Sequence, residues 1–307
     1  MKILITGGLG HIGSYFIENI GRIKKLKDIY IIDNYTGENI YAFLNIEKKN
    51  KKISFFNLDL SKKNSLKNFK KVDVVLSLAS MTNAEASLKI KNKIYKNNLG
   101  IFKNILKYCI KNSSKLIHIS STSVYGKQAK IVDEKCEDKY LKPQSPYAEI
   151  KLIEEKLLKK NSKKLKYNTF RFATIAGVSK GIRFHTAVNK FCLSAVMNEK
   201  IGVYRTALHQ YRPYLSLRDA FKIFKFCIEK NFYKNDIFNI LSSNFTVFQI
   251  LNKIKKYKKN IKVQYINSKI MNQLSYHVDK RKIERYGIKL NTNLDSDIKN
   301  TLNLFQK

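Results

Sequence analysis

The first thirteen residues constrain the fold of this chain more than any other stretch. A run rich in β-branched residues, Ile3 to Thr6, enters a turn holding Gly7, Gly8, Gly10 and Gly13. Ile12, Tyr15, Phe16, Ile17 and Ile20 then recur at helical spacing. The unit is strand, glycine turn, helix. In such a unit the first glycine makes the tight turn, the second lets a diphosphate approach the backbone, and the third lets the helix pack on the strand. The helix N-terminus offers free N–H groups and a partial positive charge to that diphosphate. Glycine is scarce here, 12 in 307 residues. The three-glycine pattern is expected by chance only about 0.02 times in such a chain.

The second buried run, Asp28 to Asp33, ends in an acid 20 residues after Gly13. An acid at that distance accepts hydrogen bonds from the adenosine ribose of NAD and repels the extra phosphate of NADP. Further strands are expected at Ile53 to Asn57, Val72 to Leu78, Lys115 to Ser120 and Tyr167 to Ala173. Helices are expected at 40–49 (weak), Ser61 to Phe69, Glu85 to Asn112 and Ser145 to Lys160. Strands alternating with helices imply parallel strands with right-handed crossovers, hence an α/β, doubly wound sheet with its ligand at the carboxyl ends of the strands. Regularity weakens beyond Gly177. Helices at Thr186 to Asn198, Leu217 to Lys230 and 246–256, with short strands at Ile201 to Tyr204, Phe238 to Leu241 and Ile261 to Ile266, suggest a smaller lobe. The expected division is therefore residues 1–177 for the dinucleotide and 178–307 for the lobe, the boundary being approximate and the two interleaved.

A net charge of +37 invites a nucleic-acid partner. Yet of the 60 basic residues 52 are Lys and only 8 are Arg, the type favoured for base and bidentate phosphate recognition. The lysines are spread along the chain and read as a solvated coat that helps attract a polyanionic substrate. No run of about 18 apolar residues is present, so no membrane span is expected. The N-terminus enters a strand directly, so no cleavable signal is expected. Cys109, Cys136, Cys192 and Cys227 are far apart, which favours free thiols in a reducing cytoplasm over disulfides or a metal site. Neither a nucleic-acid nor a membrane partner is expected, and no metal.

Tyr147 and Lys151 share one helix face as Tyr-x-x-x-Lys. A nearby ammonium and a positively charged nicotinamide would lower the phenol towards neutrality, so that it could take a proton from a sugar hydroxyl. The pattern alone carries little weight, since it occurs three times in the chain. Only Tyr147 opens a helix behind a capping serine and a proline, Ser145 and Pro146, and only it follows a buried strand ending in the hydroxyl cluster Ser120 to Ser123.

Taken in order, these features resemble the extended short-chain dehydrogenase/reductase family, the NAD-dependent epimerases and dehydratases of nucleotide sugars. The resemblance rests on Gly7-x-x-Gly10-x-x-Gly13, Asp33, Asp59-Leu60, Leu78-Ala79-Ser80 and Asn97-x-x-Gly100. It continues through Ser120-Ser121-x-x-Val124-Tyr125-Gly126, Pro146-Tyr147-x-x-x-Lys151, Arg171-Phe172 and Arg212-Pro213. It implies a Rossmann-like fold with NAD as cofactor. Tyr147 would be the acid/base, Lys151 the holder of the nicotinamide ribose and Ser121 the hydroxyl partner. The cofactor would lie against Gly7, Gly10, His11, Ile12, Gly13, Asp33 and Asn34, with Asp59 and Leu60 flanking the adenine and Leu78 to Ser80 lining the site. Asn97 would brace the helix near it. Thr82, Ser121, Thr122, Asn189, Arg205 and Arg212 are the candidates for substrate. The resemblance also implies a cytoplasmic homodimer through helices around 92–112 and 146–160.

Three positions depart from the pattern. His11 stands where epimerases often carry Phe or Tyr, and Thr174 where the family often has Asn. Ser121-Thr122-Ser123 lacks the Asp-Glu pair of the 4,6-dehydratases, which disfavours dehydration. The leading expectation is an NAD-dependent nucleotide-sugar epimerase acting at C4. The alternatives are net oxidation or reduction of a nucleotide sugar at the same site, and a catalytically silent NAD-binding protein that is regulatory or associated with RNA.

Overall fold

The computed structural model describes residues 1–37, 39–43, 51–128, 131–267 and 276–305. Strands β1 (Lys2–Thr6), β2 (Asp28–Asp33), β3 (Lys52–Asn57), β4 (Val74–Ser77), β5 (Lys115–Ser121) and β6 (Tyr167–Phe172) fall close to their expected places. Helix α1 (His11–Glu18) follows β1; α2 (Ala84–Lys89) and α3 (Lys91–Asn112) lie between β4 and β5; α4 (Pro146–Lys160) precedes β6. The C-terminal part adds β7 (Thr174–Ala176), α5 (Ala187–Val196), β8 (Lys200–Tyr204), β9 (Tyr211–Ser216) and α6 (Leu217–Lys230). It continues with β10 (Asp236–Ile240), β11 (Ser243–Thr246), α7 (Val247–Tyr257), β12 (Lys262–Ile266), α8 (Arg281–Glu284) and α9 (Leu294–Asn303).

Seven strands form one sheet in the order β10-β6-β5-β4-β1-β2-β3. Every pairing in it is parallel. Consecutive β1 residues feed opposite faces: Ile3 and Ile5 join the core with Phe16 and Phe224, while Leu4 joins Phe102 and Ile105 on the other side. A strand covered on both faces must be apolar throughout, which explains the unbroken Ile-Leu-Ile run. On the first face Phe16 packs against Phe221 and Phe224 of α6, with ring centroids 5.8 and 5.6 Å apart. The order of the sheet reverses between β1 and β4, and at such a switch point the strand ends open a crevice for ligands.

The sheet takes its last strand from far along the chain. β10 pairs with β6, so Asp236–Ile240 lies in the main sheet although it follows the lobe's β7, β8 and β9. The lobe itself has a three-stranded sheet, β11-β9-β7, a parallel pair β12-β8, and a core in which Val188 and Phe191 of α5 meet Ile250 of α7 and Ile298 of α9. Three expected helices differ. Residues 61–69 form successive three-residue turns instead, Ser65 N donating to Lys62 O and Phe69 N to Leu66 O, with Asn64 at φ 59°. A left-handed residue there interrupts an α-helical ladder. At 40–49 only a short 3-10 turn, Ile40–Phe43, is seen; 44–49 lie outside the described residues. The long helix expected from Glu85 breaks at Ile90 into α2 and α3.

Candidate active site

The crevice is bounded on one side by the glycine turn. Gly7 sits at φ 69°, and a Cβ there would lie 2.7 Å from Ala79 N in the segment after β4. A Cβ on Gly13 would lie 2.4 Å from Gly7 O, so the helix packs on the turn only without one. Thr6 Oγ1 ties the two strand ends together, accepting from Leu78 N at 3.1 Å and Ala79 N at 3.2 Å. The residue preceding α1 is Gly10, so no side chain caps the first amides of the helix. Those amides are the donors a dinucleotide diphosphate needs. Asp33 accepts from Leu9 N and Tyr35 N, each at 3.0 Å, one on each carboxylate oxygen. Each oxygen keeps a second lone pair for a ribose hydroxyl. The cradle fits NAD.

Helix α4 supplies the opposite side. Ser145 caps it, Oγ accepting from Ala148 N at 3.3 Å, and Pro146 opens it, as the sequence suggested. Tyr147 and Lys151 follow on one face, the ammonium 5.8 Å from the Tyr147 ring centroid. Ser121, at the end of β5, faces Tyr147, and its hydroxyl favours the ionised phenol. Its Oγ also accepts from Ser123 N at 3.2 Å and Ser123 Oγ at 2.8 Å. Those two bonds occupy both hydroxyl lone pairs, leaving the Ser121 proton for the Tyr147 oxygen. Burial pushes the Tyr147 phenol above its ordinary range; Lys151, Arg183 and Ser121 pull it down, and Glu154 pushes it up. In the protein alone burial wins, so the ammonium does not by itself bring the phenol towards neutrality.

Lys151 is itself held. Its Nζ donates to Glu154 Oε2 at 2.8 Å, one turn along the helix, and His118 Nε2 from β5 lies 3.3 Å from the same oxygen. Burial disfavours the Lys151 ammonium, but Glu154, Tyr147 and Glu155 together more than offset this and hold it above the ordinary lysine range. Burial works against the Glu154 carboxylate too, yet Lys151 and His118 keep it below the usual range. His118 is pushed down by burial and stays neutral at pH 7. An ammonium has three donors, so after Glu154 two remain, the number needed for the two hydroxyls of a ribose. The next residue, Glu155, fixes the helix to the sheet. It grips Arg171 of β6 in a fork, at 3.0 and 2.7 Å, and accepts from Ser120 Oγ at 2.5 Å. The Arg171 guanidinium also lies 4.8 Å from the Tyr125 ring centroid, and Tyr125 donates to Asn239 Oδ1 of β10 at 2.9 Å.

The other expected site residues divide. Leu78, Ala79 and Ser80 line the switch point, and Ile12 lies half-buried on α1 beside it. Asn34 accepts from Thr36 in the turn after β2. Asp59 accepts from Ser61 N and Oγ at 2.9 and 2.7 Å, and the Ser61 hydroxyl holds its carboxyl below the ordinary range. The Leu60 side chain is buried in the core beside α3. Thr122 turns inward, its hydroxyl 3.4 Å from Phe172 O and 3.5 Å from Tyr276 Oη. Asn189 is fully buried; it accepts from Gly177 N at 3.4 Å and donates to Arg183 O at 3.1 Å. Arg205 is exposed over the Tyr265 ring, Arg212 half-buried on β9, and Thr174 half-buried on β7. Asn97 donates to Asn98, and Asn98 makes the brace: Oδ1 accepts from Met81 N at 2.9 Å and Nδ2 donates to Met81 O at 3.0 Å.

Sequence reading missed Asn98, Glu154, His118 and Arg183. Asn98 was signalled by its neighbour and the other three by nothing local, since each acts through a partner distant in sequence or an unremarkable helix position. His11 has a definite task. It is buried, and its Nε2 donates to Gly177 O at 2.9 Å, tying the glycine turn to the segment after β7. Burial pushes it down to about 4, so the ring is neutral and Nε2 carries the proton of that bond.

Residues 3–240 match the NAD dependent epimerase/dehydratase family. The chain is 27% identical to a putative UDP-glucose 4-epimerase of Methanocaldococcus jannaschii, an alignment covering 98% of this chain and 97% of that protein. It is 26% identical to the ADP-L-glycero-D-manno-heptose-6-epimerase of Brachyspira hyodysenteriae, over 86% of this chain and 83% of the relative. Its fold superposes on the NAD complex of the Thermus thermophilus UDP-glucose 4-epimerase with a TM-score of 0.81 at 20% identity, covering 100% of this chain and 99% of that one. With a crevice that fits NAD and a family match across most of its length, this chain belongs to the NAD dependent epimerase/dehydratase family.

Proposed function

We propose that the protein is an NAD-dependent nucleotide-sugar epimerase acting at C4 through a transient 4-keto sugar. The observation that carries this is the half-buried Tyr147, faced by Ser121 and Lys151, at the carboxyl edge of the sheet beside the glycine turn. NAD, when bound, supplies the hydride acceptor and donor. Tyr147, as the phenolate to which Ser121 donates, takes the proton from the sugar hydroxyl and becomes the phenol. Lys151 orients the ribose with its two spare donors and stabilises the phenolate by its charge. Once the keto sugar has turned over, Tyr147 returns the proton on the other face. This cycle needs one acid/base, and Thr122 and Ser123 stand where the dehydratases of the family carry an acid pair. Curated relatives that are epimerases of nucleotide-linked sugars support the substrate class, one acting at C4 and one at C6.

In this reading the dinucleotide lies on residues 1–177 and the nucleotide diphosphate of the substrate on the lobe of 178–307. Arg212 and Arg205 reach the substrate diphosphate, and Asn189 acts from behind by bracing 177–183. Thr82 lies near the sugar path, and Thr122, turned inward, supports that wall from behind. The reading includes a cytoplasmic homodimer through α3 and α4, checked by light scattering. The large apolar side chains exposed by more than a third include none from either helix. Among the described residues no helix is long and apolar enough to cross a membrane.

The test supplies UDP-glucose or another nucleotide sugar and follows both sugar and cofactor. Inverted product with the cofactor returned to its oxidised form is expected. Stoichiometric reduced cofactor with a released ketone would overturn epimerisation in favour of net oxidation. Tyr147→Phe should lower turnover about 10²- to 10⁴-fold.

A further inference from the structure

The segment after β7 is bolted onto the glycine turn. His11 reaches Gly177 O, Ser179 Oγ donates to His11 O at 2.9 Å, and Gly181 N donates to Ser14 Oγ at 2.8 Å. Gly181 approaches so closely that a Cβ there would lie 2.3 Å from Leu9 O and 2.6 Å from Gly10 O. Asn189 holds the same segment from the lobe side.

The segment delivers Arg183. Its Nη1 donates to Thr82 Oγ1, and a Cβ on Gly10 would lie 3.3 Å from its Nη2. The guanidinium thus stands over the second glycine of the turn. Burial pushes it below the ordinary arginine range, and the groups that favour its charge, Tyr147 and Asp33, act only at a distance. His11 and His185 are the other titratable groups facing it, both pushed down by burial and neutral at pH 7. Among the described residues no carboxylate is in salt-bridge contact with Arg183. Arg183 is half-buried, and a cation partly withdrawn from water without a counter-ion gains when an anion joins it. The turn below offers uncapped helix amides that call for an anion as well.

We propose that Arg183 is a clamp for the dinucleotide diphosphate, closing on it from the lobe side while the amides of α1 hold it from the sheet side. This rests on the dinucleotide occupying the glycine turn. The fork of an arginine can give a diphosphate two parallel hydrogen bonds, which an ammonium cannot. Three elements fix where it stands: the turn through His11, Ser14 and Gly10, the segment after β4 through Thr82, and α5 through Asn189. Substrate-side and cofactor-side groups therefore meet at one side chain, and loading of NAD would lock the segment that precedes α5.

The test is calorimetry on the full chain with three probes, read for wild type, Arg183→Gln and Arg183→Lys. ADP-ribose carries the diphosphate without the nicotinamide; adenosine carries neither. The third probe is UDP, added to NAD-loaded protein. Arg183→Gln should weaken ADP-ribose about 10- to 100-fold, the loss expected for charged hydrogen bonds, and leave adenosine and UDP unchanged. Arg183→Lys should fall between. Unchanged or tighter ADP-ribose binding would overturn the proposal, the latter by showing that Arg183 obstructs the site. Loss confined to UDP would overturn it by assigning Arg183 to the substrate. Equal loss for adenosine and ADP-ribose would overturn it by showing a collapsed turn. If wild type binds UDP and not ADP-ribose, the dinucleotide reading itself fails.

Discussion

The two sides of the crevice are built by opposite means. The glycine turn after β1 is backbone against backbone, with Gly7 and Gly13 leaving room and Thr6 and Asp33 each taking two amides. The α4 side is side chain against side chain, two adjacent carboxylates in a dry interior, each with its own cation. The first kind of construction tolerates no added atoms; the second tolerates no removed charge. Breaking each in its own way should therefore give different failures.

The largest effect is expected on the α4 side. Glu155→Ala leaves Arg171 buried without its fork partner and Ser120 without its acceptor. Orphaning one member of a buried pair costs about 3–5 kcal/mol. Urea unfolding should show that loss, and Arg171→Met in the same chain should recover part of it. If the double variant is no more stable than Glu155→Ala, the cost lies in packing and not in the stranded charge.

Gly7→Ala should come next, at about 2–4 kcal/mol, combining a strained left-handed residue with backbone overlap at Ala79. Its signature is loss of NAD from the purified protein as well as a lower melting temperature. A Gly37→Ala control, in an exposed turn with only a side-chain atom within 4 Å of the added Cβ, should change neither.

The same contrast explains what the sequence disclosed. Backbone construction leaves a local trace, because a glycine that must be glycine is written in order and spacing. The β1 turn, Asp33 and the capped start of α4 were legible for that reason. Side-chain networks leave none: Glu154 and Glu155 look like two more charges on a surface helix until β5 and β6 place His118 and Arg171 against them. The ownership of β10 was hidden in the same way, since a five-residue strand does not say which sheet it will join. Residues 61–69 read as helix because their composition permits one, while Asn64 in a left-handed conformation and the Asp59–Ser61 hydrogen bonds decide for turns.

His11 joins the two constructions, a side chain serving the backbone turn. Its folded value, about 4, lies below the ordinary 6.5. Below pH 6.5 the unfolded chain takes up a proton that the folded chain refuses, so stability falls as pH drops from about 6.5 to 4. The full loss amounts to roughly 3 kcal/mol from this group. Melting temperatures of His11→Asn and wild type across that window should converge towards the acid end. His118 is also held down by burial and contributes the same sign, so the slope should shrink in His11→Asn without vanishing.

The smallest effect is the most informative about chemistry. Tyr147 is faced by Lys151 and Glu154 from its own helix, by Ser121 from β5 and by Arg183 from the segment after β7. Of these, only Glu154 opposes ionisation of the phenol. Glu154→Gln keeps the shape and removes the charge, so the rising limb of the rate against pH should move to lower pH while Lys151 remains an ammonium. Lys151 loses its carboxylate in the same step, and its own value falls from its raised position. At high pH the variant should therefore lose rate where wild type holds its plateau, as a neutral Lys151 stops supporting the phenolate. A profile displaced at the acid end and shortened at the alkaline end is the mark of a carboxylate acting through Lys151. A uniform drop in rate with both limbs in place would show Glu154 to be packing alone, and would put the field at Tyr147 in the hands of Lys151 and Arg183.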